Sequence, residues 1–119
     1  MNQISTNPAE GNITFDDFQK VHITIGKILS AEKVEGSEKL LKLSVDFAES
    51  SPRQVVSGIA KYFPDLTVLV GNHFPFVTNL EPRKIMGLES QAMILAGSHD
   101  VNLALLKPTT DIPAGTRLS

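Results

Sequence analysis

Residues 41–47 read Leu-Lys-Leu-Ser-Val-Asp-Phe. Apolar and polar side chains alternate at every step, a period of two that only an extended strand turns into two faces. Leu41, Leu43, Val45 and Phe47 share one face, and Lys42, Ser44 and Asp46 the other. A strand that is dry on one side and wet on the other needs antiparallel neighbours wrapped around a common core. The chain must therefore fold as a small sheet closed on itself or stacked on another.

Its neighbours can be read on either side. In "VHITIGKILSAEKV", Val21, Ile23 and Ile25 face one way and His22 and Thr24 the other. The phase slips after Gly26, which predicts a bulge or sharp barrel bend there. "EGSEK" is a turn, and "RQVVSGI" a third strand after the turn "ESSP". "AKYFPDL" predicts a short helix that stops before Pro64. "TVLVGNHFPFVTNL" supplies one or two strands around a Gly-Asn turn, with Pro75 demanding an edge or a bulge. "QAMILAG", "VNLALLKP" and "IPAGTRL" follow as further strands. Ahead of them all, Thr14 caps a short helix with Asp16 and Asp17 at its positive end. Phe15 and Phe18 of that helix are expected to plug one end of the core.

The tally is six or seven short strands and one mid-chain helix, the pattern of a small barrel or sandwich. A helix between the third and fourth strands is the plan of the OB-fold. The fold class is thus all-β with small helices: a five-stranded OB-fold barrel with C-terminal extension strands. Residues 1–12 are polar and aperiodic and read as a disordered tail or linker. Residues 13–119 form one domain.

Composition removes whole classes of chemistry. The chain has no cysteine, so disulfides, thiolate ligands and thiol nucleophiles are excluded together. His22, His73 and His99 share no ligand spacing, and no metal or other cofactor is expected. "VVSGI" lacks the glycine of a nucleophile elbow ahead of Ser57, and "VGNHF" is no phosphate loop. No enzyme is indicated. No apolar run is long enough to span a bilayer, and the N-terminus has neither the basic start nor the apolar segment of a secretory signal. A cytoplasmic protein is expected.

Net charge is −2, but unevenly spread: residues 1–38 carry −3, residues 39–84 carry +2 and residues 85–119 carry −1. The basic middle ends inside "NLEPRKIMGLESQAM", residues 79–93. Arg83 offers a planar fork for phosphate oxygens and Lys84 a point charge, behind the stiffening Pro82. Ser90 can hydrogen-bond a phosphate or a ribose hydroxyl, and Met93 offers a soft apolar contact. The same stretch also reads as a core segment, Ile85, Met86, Leu88 and Met93, with a solvated basic turn. Lys39 and Lys42 form a second cationic group, and Arg53 with Lys61 a third. These groups fall on the loops and on the strand two–three face with which OB-folds bind oligonucleotides, and that coincidence favours the binding reading. Only Tyr62 and Phe63 are aromatics expected outside, so structured RNA read by shape, phosphate and 2′-OH fits better than stacked single strands.

"TFDDFQKV", "VEGSEKLLKLSVDF", "RQVVSGIAKYF", "NLEPRKIMGLESQAMILAG" and "IPAGTRL", in this order, resemble the EMAP II / Trbp111-type tRNA-binding domain. That domain occurs free-standing and at the C-terminus of methionyl-tRNA synthetase. The resemblance covers roughly residues 13–118. It implies tRNA binding with little sequence preference at the outer corner of the L, homodimerisation, and a partnership with an aminoacyl-tRNA synthetase. By position it assigns RNA contacts to Lys39, Lys42, Arg53, Asn79, Arg83, Lys84, Ser90 and Met93, with Ser90 and Met93 foremost. The departures are His22, Ile23 and Thr24 in place of Asp-x-Arg, Glu81 where lysine is common, and Pro75 inside a strand. They imply weaker binding and an altered edge or dimer contact. The Met1 start suits a free-standing protein slightly better than a synthetase fragment. The related CsaA-like chaperones, which bind unfolded polypeptide, are the alternative.

Overall fold

The computed structural model describes residues 11–119, and ten strands and one α-helix lie among them. The predicted tail falls largely outside the described residues. Helix α1 (Phe15–Gln19) opens on Thr14, whose Oγ1 accepts the Asp17 N–H at 3.0 Å. Strands β1 (Ile23–Lys33), β2 (Leu41–Asp46) and β3 (Arg53–Ser57) form an antiparallel meander, and β4 (His73–Val77) pairs on the other side of β1. β5 (Arg83–Ile85) and β6 (Leu88–Ser90) make a hairpin. β7 (Met93–Ile94) then pairs with β4, giving the order β3-β2-β1-β4-β7. β7 and the end of β6 come round to β3, which makes a nearly closed five-stranded antiparallel barrel.

Between β3 and β4 the single predicted helix is replaced by two 3-10 turns, Ala60–Tyr62 and Leu66–Val68. Pro64 separates them, lacking the N–H and the conformational freedom that would let one helix run through. "TVLVGNHFPFVTNL" accordingly supplies one strand, not two. The C-terminal extension is the hairpin β8 (Ala96–His99) with β9 (Asn102–Leu105), and β10 (Arg117–Leu118), which pairs with β1 through Ile23–Leu118.

The alternation of β2 is realised in full: Leu41, Leu43, Val45 and Phe47 are buried, and Lys42, Ser44 and Asp46 are half-buried. Phe47 meets Phe76 edge to face, with ring centroids 5.2 Å apart. Gly26 is not the bulge. The register shift lies between Ile28 and Ser30, at the exposed Leu29. Gly26 serves packing instead: a Cβ there would stand 2.5 Å from the Phe47 ring and 2.6 Å from Val45 Cγ1.

Pro75 lies inside β4, opposite Ile25. Ile25 donates its N–H to Thr116 and accepts at its C=O from Gly115, away from β4. The missing Pro75 N–H therefore falls on the β7 side, where the ladder ends after Phe76–Ile94. Phe15 and Phe18 do not plug the core: they are 68% and 37% exposed. Helix α1 is too short to carry them over the barrel end.

Candidate nucleic-acid interface

The barrel seam and the cationic hairpin come from one continuous stretch, residues 83–94. A hydrogen-bonded strand pair does not close β3 onto β6. Side chains do. Ser90 Oγ accepts the Val56 N–H at 2.9 Å and donates to the Ala92 C=O at 3.1 Å. Gln91 donates its N–H to the Gln54 C=O at 2.8 Å, and its Oε1 accepts the Gln54 N–H at 2.8 Å. Ser90 is buried. Its hydroxyl is occupied inside the chain, so its task in this geometry is to hold the hairpin against the barrel.

Arg53 belongs to the same seam. It pairs in register with the buried Val45 and stacks over the Phe47 ring, its guanidinium carbon 5.4 Å from the centroid. Nε and Nη2 grip the two carboxylate oxygens of Glu49 at 2.8 and 2.7 Å, and Nη1 donates to the carbonyls of Thr78 at 2.7 Å and Gln91 at 3.1 Å. The Arg53 hydrogen bond holds the Glu49 carboxyl below the usual carboxylate range against the opposing effect of burial, with the Arg53 charge adding a lesser push in the same direction as the bond. The same hydrogen bond raises the guanidinium. With its donors so engaged, Arg53 is a clamp between β3, β4 and β7.

Asn79 is likewise committed. Its Oδ1 accepts the His22 N–H at 2.8 Å and its Nδ2 donates to the Lys20 C=O at 2.6 Å, tying α1 to the end of β4. Nearby, the Thr24 and Thr78 hydroxyls meet at 2.9 Å, a neutral contact. Lys42 pairs with Glu32 at 2.7 Å across β1 and β2.

The remaining cations are different. Lys39, Lys61, Arg83 and Lys84 are exposed, and none forms an ion pair among the described residues. Arg83 and Lys84 rise on the β5–β6 hairpin, whose turn is Met86 at φ 50° and Gly87 at φ 80°. Two successive positive φ values make the tight turn that matches strand twist. Arg83 lines a cleft of about 60 Å³ with Leu80, Ile85, Ser57 and the half-exposed Met93, and Glu81 also borders it. Beside it, Met86 and Leu88 overhang Lys42 and Lys33 in an open depression of about 440 Å³. Arg83 and Met93 thus line one cleft, and Lys42 with Lys33 the depression. Lys84 pairs in register with Glu89 on the hairpin, Lys39 lies just ahead of β2, and Arg53 and Asn79 turn into the scaffold. Among the described residues, no group of His, Asp and Glu is placed to hold a metal ion.

Residues 23–117 match the family model described as "Putative tRNA binding domain". The chain belongs to this tRNA-binding domain family. It is 42% identical over 115 residues to the methionine–tRNA ligase of Lactococcus lactis, covering 96% of this chain, and 46% identical over 107 residues to that of Caldanaerobacter subterraneus, covering 90%. It spans only 17% and 16% of the length of those two relatives. Among solved structures, a MetRS-related protein from Pyrococcus horikoshii superposes with a TM-score of 0.83 at 35% identity, covering 91% of this chain and 98% of that one. The chaperone CsaA of Bacillus anthracis superposes at 0.80 with 28% identity, covering 91% and 99%.

Proposed function

We propose that the chain is a non-catalytic tRNA-binding module, acting in the cytoplasm either in trans for a methionine–tRNA ligase or as part of one. The observation that carries this reading is the Arg83–Lys84 pair: adjacent, exposed, free of ion pairs among the described residues, and braced by a seam beneath. Exposed cations with no ion-pair partner are what a phosphate backbone needs, and each contact releases counterions. Arg83, Lys84, Lys39 and Lys42 take phosphates, Lys42 exchanging Glu32 for RNA. Met93 gives an apolar contact in the cleft, and Arg53, Asn79 and Ser90 position the surface.

The test is the double variant Arg83→Ala/Lys84→Ala in a mobility-shift assay against several unrelated tRNAs. Binding should weaken for all of them alike. The slope of log K against log salt should become shallower by about 1.4–1.8, two contacts at about 0.7–0.9 each. Unchanged affinity would refute the assignment.

The proposal includes a homodimer. Phe15, Phe18 and Val21 are exposed where the chain enters β1, and exposed Leu118 pairs with Ile23 next to them. Sedimentation equilibrium of wild type against Phe18→Glu tests this, a monomeric variant being the expected result.

A polypeptide-binding role remains the second reading, favoured by one feature. Pro75, Leu106, Ile112 and Leu118 line a mainly apolar depression of about 350 Å³. Binding there would be insensitive to salt and competed by unfolded peptide, opposite to the behaviour expected of the cationic face.

A further inference from the structure

Three aromatic side chains are exposed among the described residues: Phe15, Phe18 and Tyr62. The two phenylalanines share a helix with Asp16 and Asp17, which repel phosphate. Tyr62, 44% exposed, stands in the opposite electrostatic setting. It occupies the 3-10 turn Ala60–Tyr62, beside the exposed Lys61. The Ala60 N–H donates to the Lys39 C=O at 2.9 Å, so Lys39 and Lys61 rise from adjoining backbone.

The turn is anchored in a way that leaves these side chains outside. Ile59 and Ala60 are buried, and Phe63 packs against the core. The Tyr62 N–H donates to Ile59 and the Phe63 N–H to Ala60. Lys61 and Tyr62 are thus the two residues of the turn that project, on a backbone held at both ends. The turn also adjoins the cationic face: it begins three residues after Ser57, which lines the Arg83 cleft and pairs in register with Leu41.

We infer that Tyr62, flanked by Lys39 and Lys61, is a stacking site for one unpaired base of the bound RNA. The ring supplies a face on which any base can stack, and the two ammonium groups hold the phosphates on either side. A site of this kind tolerates any sequence but requires a base outside a helix. The inference rests on the tRNA-binding reading and adds to it a contact that duplex RNA cannot make.

The chain itself provides the probe. Tyr62 is its single tyrosine and there is no tryptophan, so ultraviolet emission reports this ring alone. Emission should be quenched as tRNA is added, after correction for absorption with free N-acetyltyrosinamide, and should remain when blunt RNA duplex of equal phosphate concentration replaces tRNA. Tyr62→Ala should weaken tRNA binding about 5- to 100-fold, the effect of one lost stack, with Tyr62→Phe close to wild type. If wild type binds tRNA and loses it on Arg83→Ala/Lys84→Ala, but Tyr62→Ala binds normally or emission is unmoved, the stacking site is refuted and the RNA-binding reading stands. If wild type shifts no tRNA at all, both fall.

Discussion

Arg53 and Arg83 are chemically the same side chain, thirty positions apart by number, and the fold uses them in opposite ways. Arg53 at the seam is engaged with a carboxylate, two carbonyls and an aromatic ring. Arg83 on the hairpin has no partner ion among the described residues and stands over a cleft. Both belong to a basic segment of an acidic chain, and both sit where the family resemblance assigns RNA contact. The difference teaches that a cation's availability, not its presence, marks a binding surface. A guanidinium whose donors are taken must give up those partners before it can take a new one.

The contrast can be broken at the seam first. Arg53→Ala removes the Glu49 pair and strips the Thr78 and Gln91 carbonyls of their donor. It should cost about 2–4 kcal/mol in urea unfolding, the scale of a lost charged hydrogen-bond cluster. Under conditions where the variant stays folded, the salt slope of tRNA binding should be that of wild type. A slope reduced as in the Arg83 variant would erase the distinction.

Ser90→Ala comes next. It leaves the buried Val56 N–H without its acceptor and should lower stability by about 1–3 kcal/mol. Ser90→Thr, which keeps the hydroxyl, should recover part of the loss. A variant that unfolds like wild type yet fails to bind tRNA would give Ser90 the direct contact the resemblance assigns it.

Acid should reveal the clamp more weakly. The Glu49 carboxyl is lowered in the folded state, so its contribution is present above the ordinary carboxylate range and is lost as pH falls through and below it. The pair is solvent-screened, so the contribution is about 0.2–1 kcal/mol. Stability of Glu49→Gln measured at successive pH values should show that much less acid sensitivity than wild type.

The smallest effect on stability belongs to the hairpin. Arg83→Ala/Lys84→Ala should unfold within about 0.5 kcal/mol of wild type, since an exposed, unpaired side chain supports nothing beneath it. This is the same protein that is expected to lose tRNA. Large binding loss with no stability loss, against the reverse for Arg53, is the full form of the contrast.

Much of this molecule is written in local pattern. The strict alternation of residues 41–47 determined a half-buried antiparallel strand, because side-chain direction reverses at every residue whatever the partner. Thr14 determined its cap, Pro64 determined that no helix runs from Ala60 through Leu66, and the motif order determined the family. Misplaced features share one cause. Gly26 signalled an irregularity, yet whether it bulges or makes room depends on the Phe47 ring arriving from another strand. Phe15 and Phe18 signalled an apolar face, yet a five-residue helix leaves both rings exposed. Arg53, Asn79 and Ser90 could be named as polar groups in the right places. The partners that tie them to other strands, however, lie 25 to 59 residues away in the chain. Hydrogen-bond capacity is a property of the residue, but whether that capacity is already spent is settled only when the barrel closes and brings distant carbonyls within 3 Å or so.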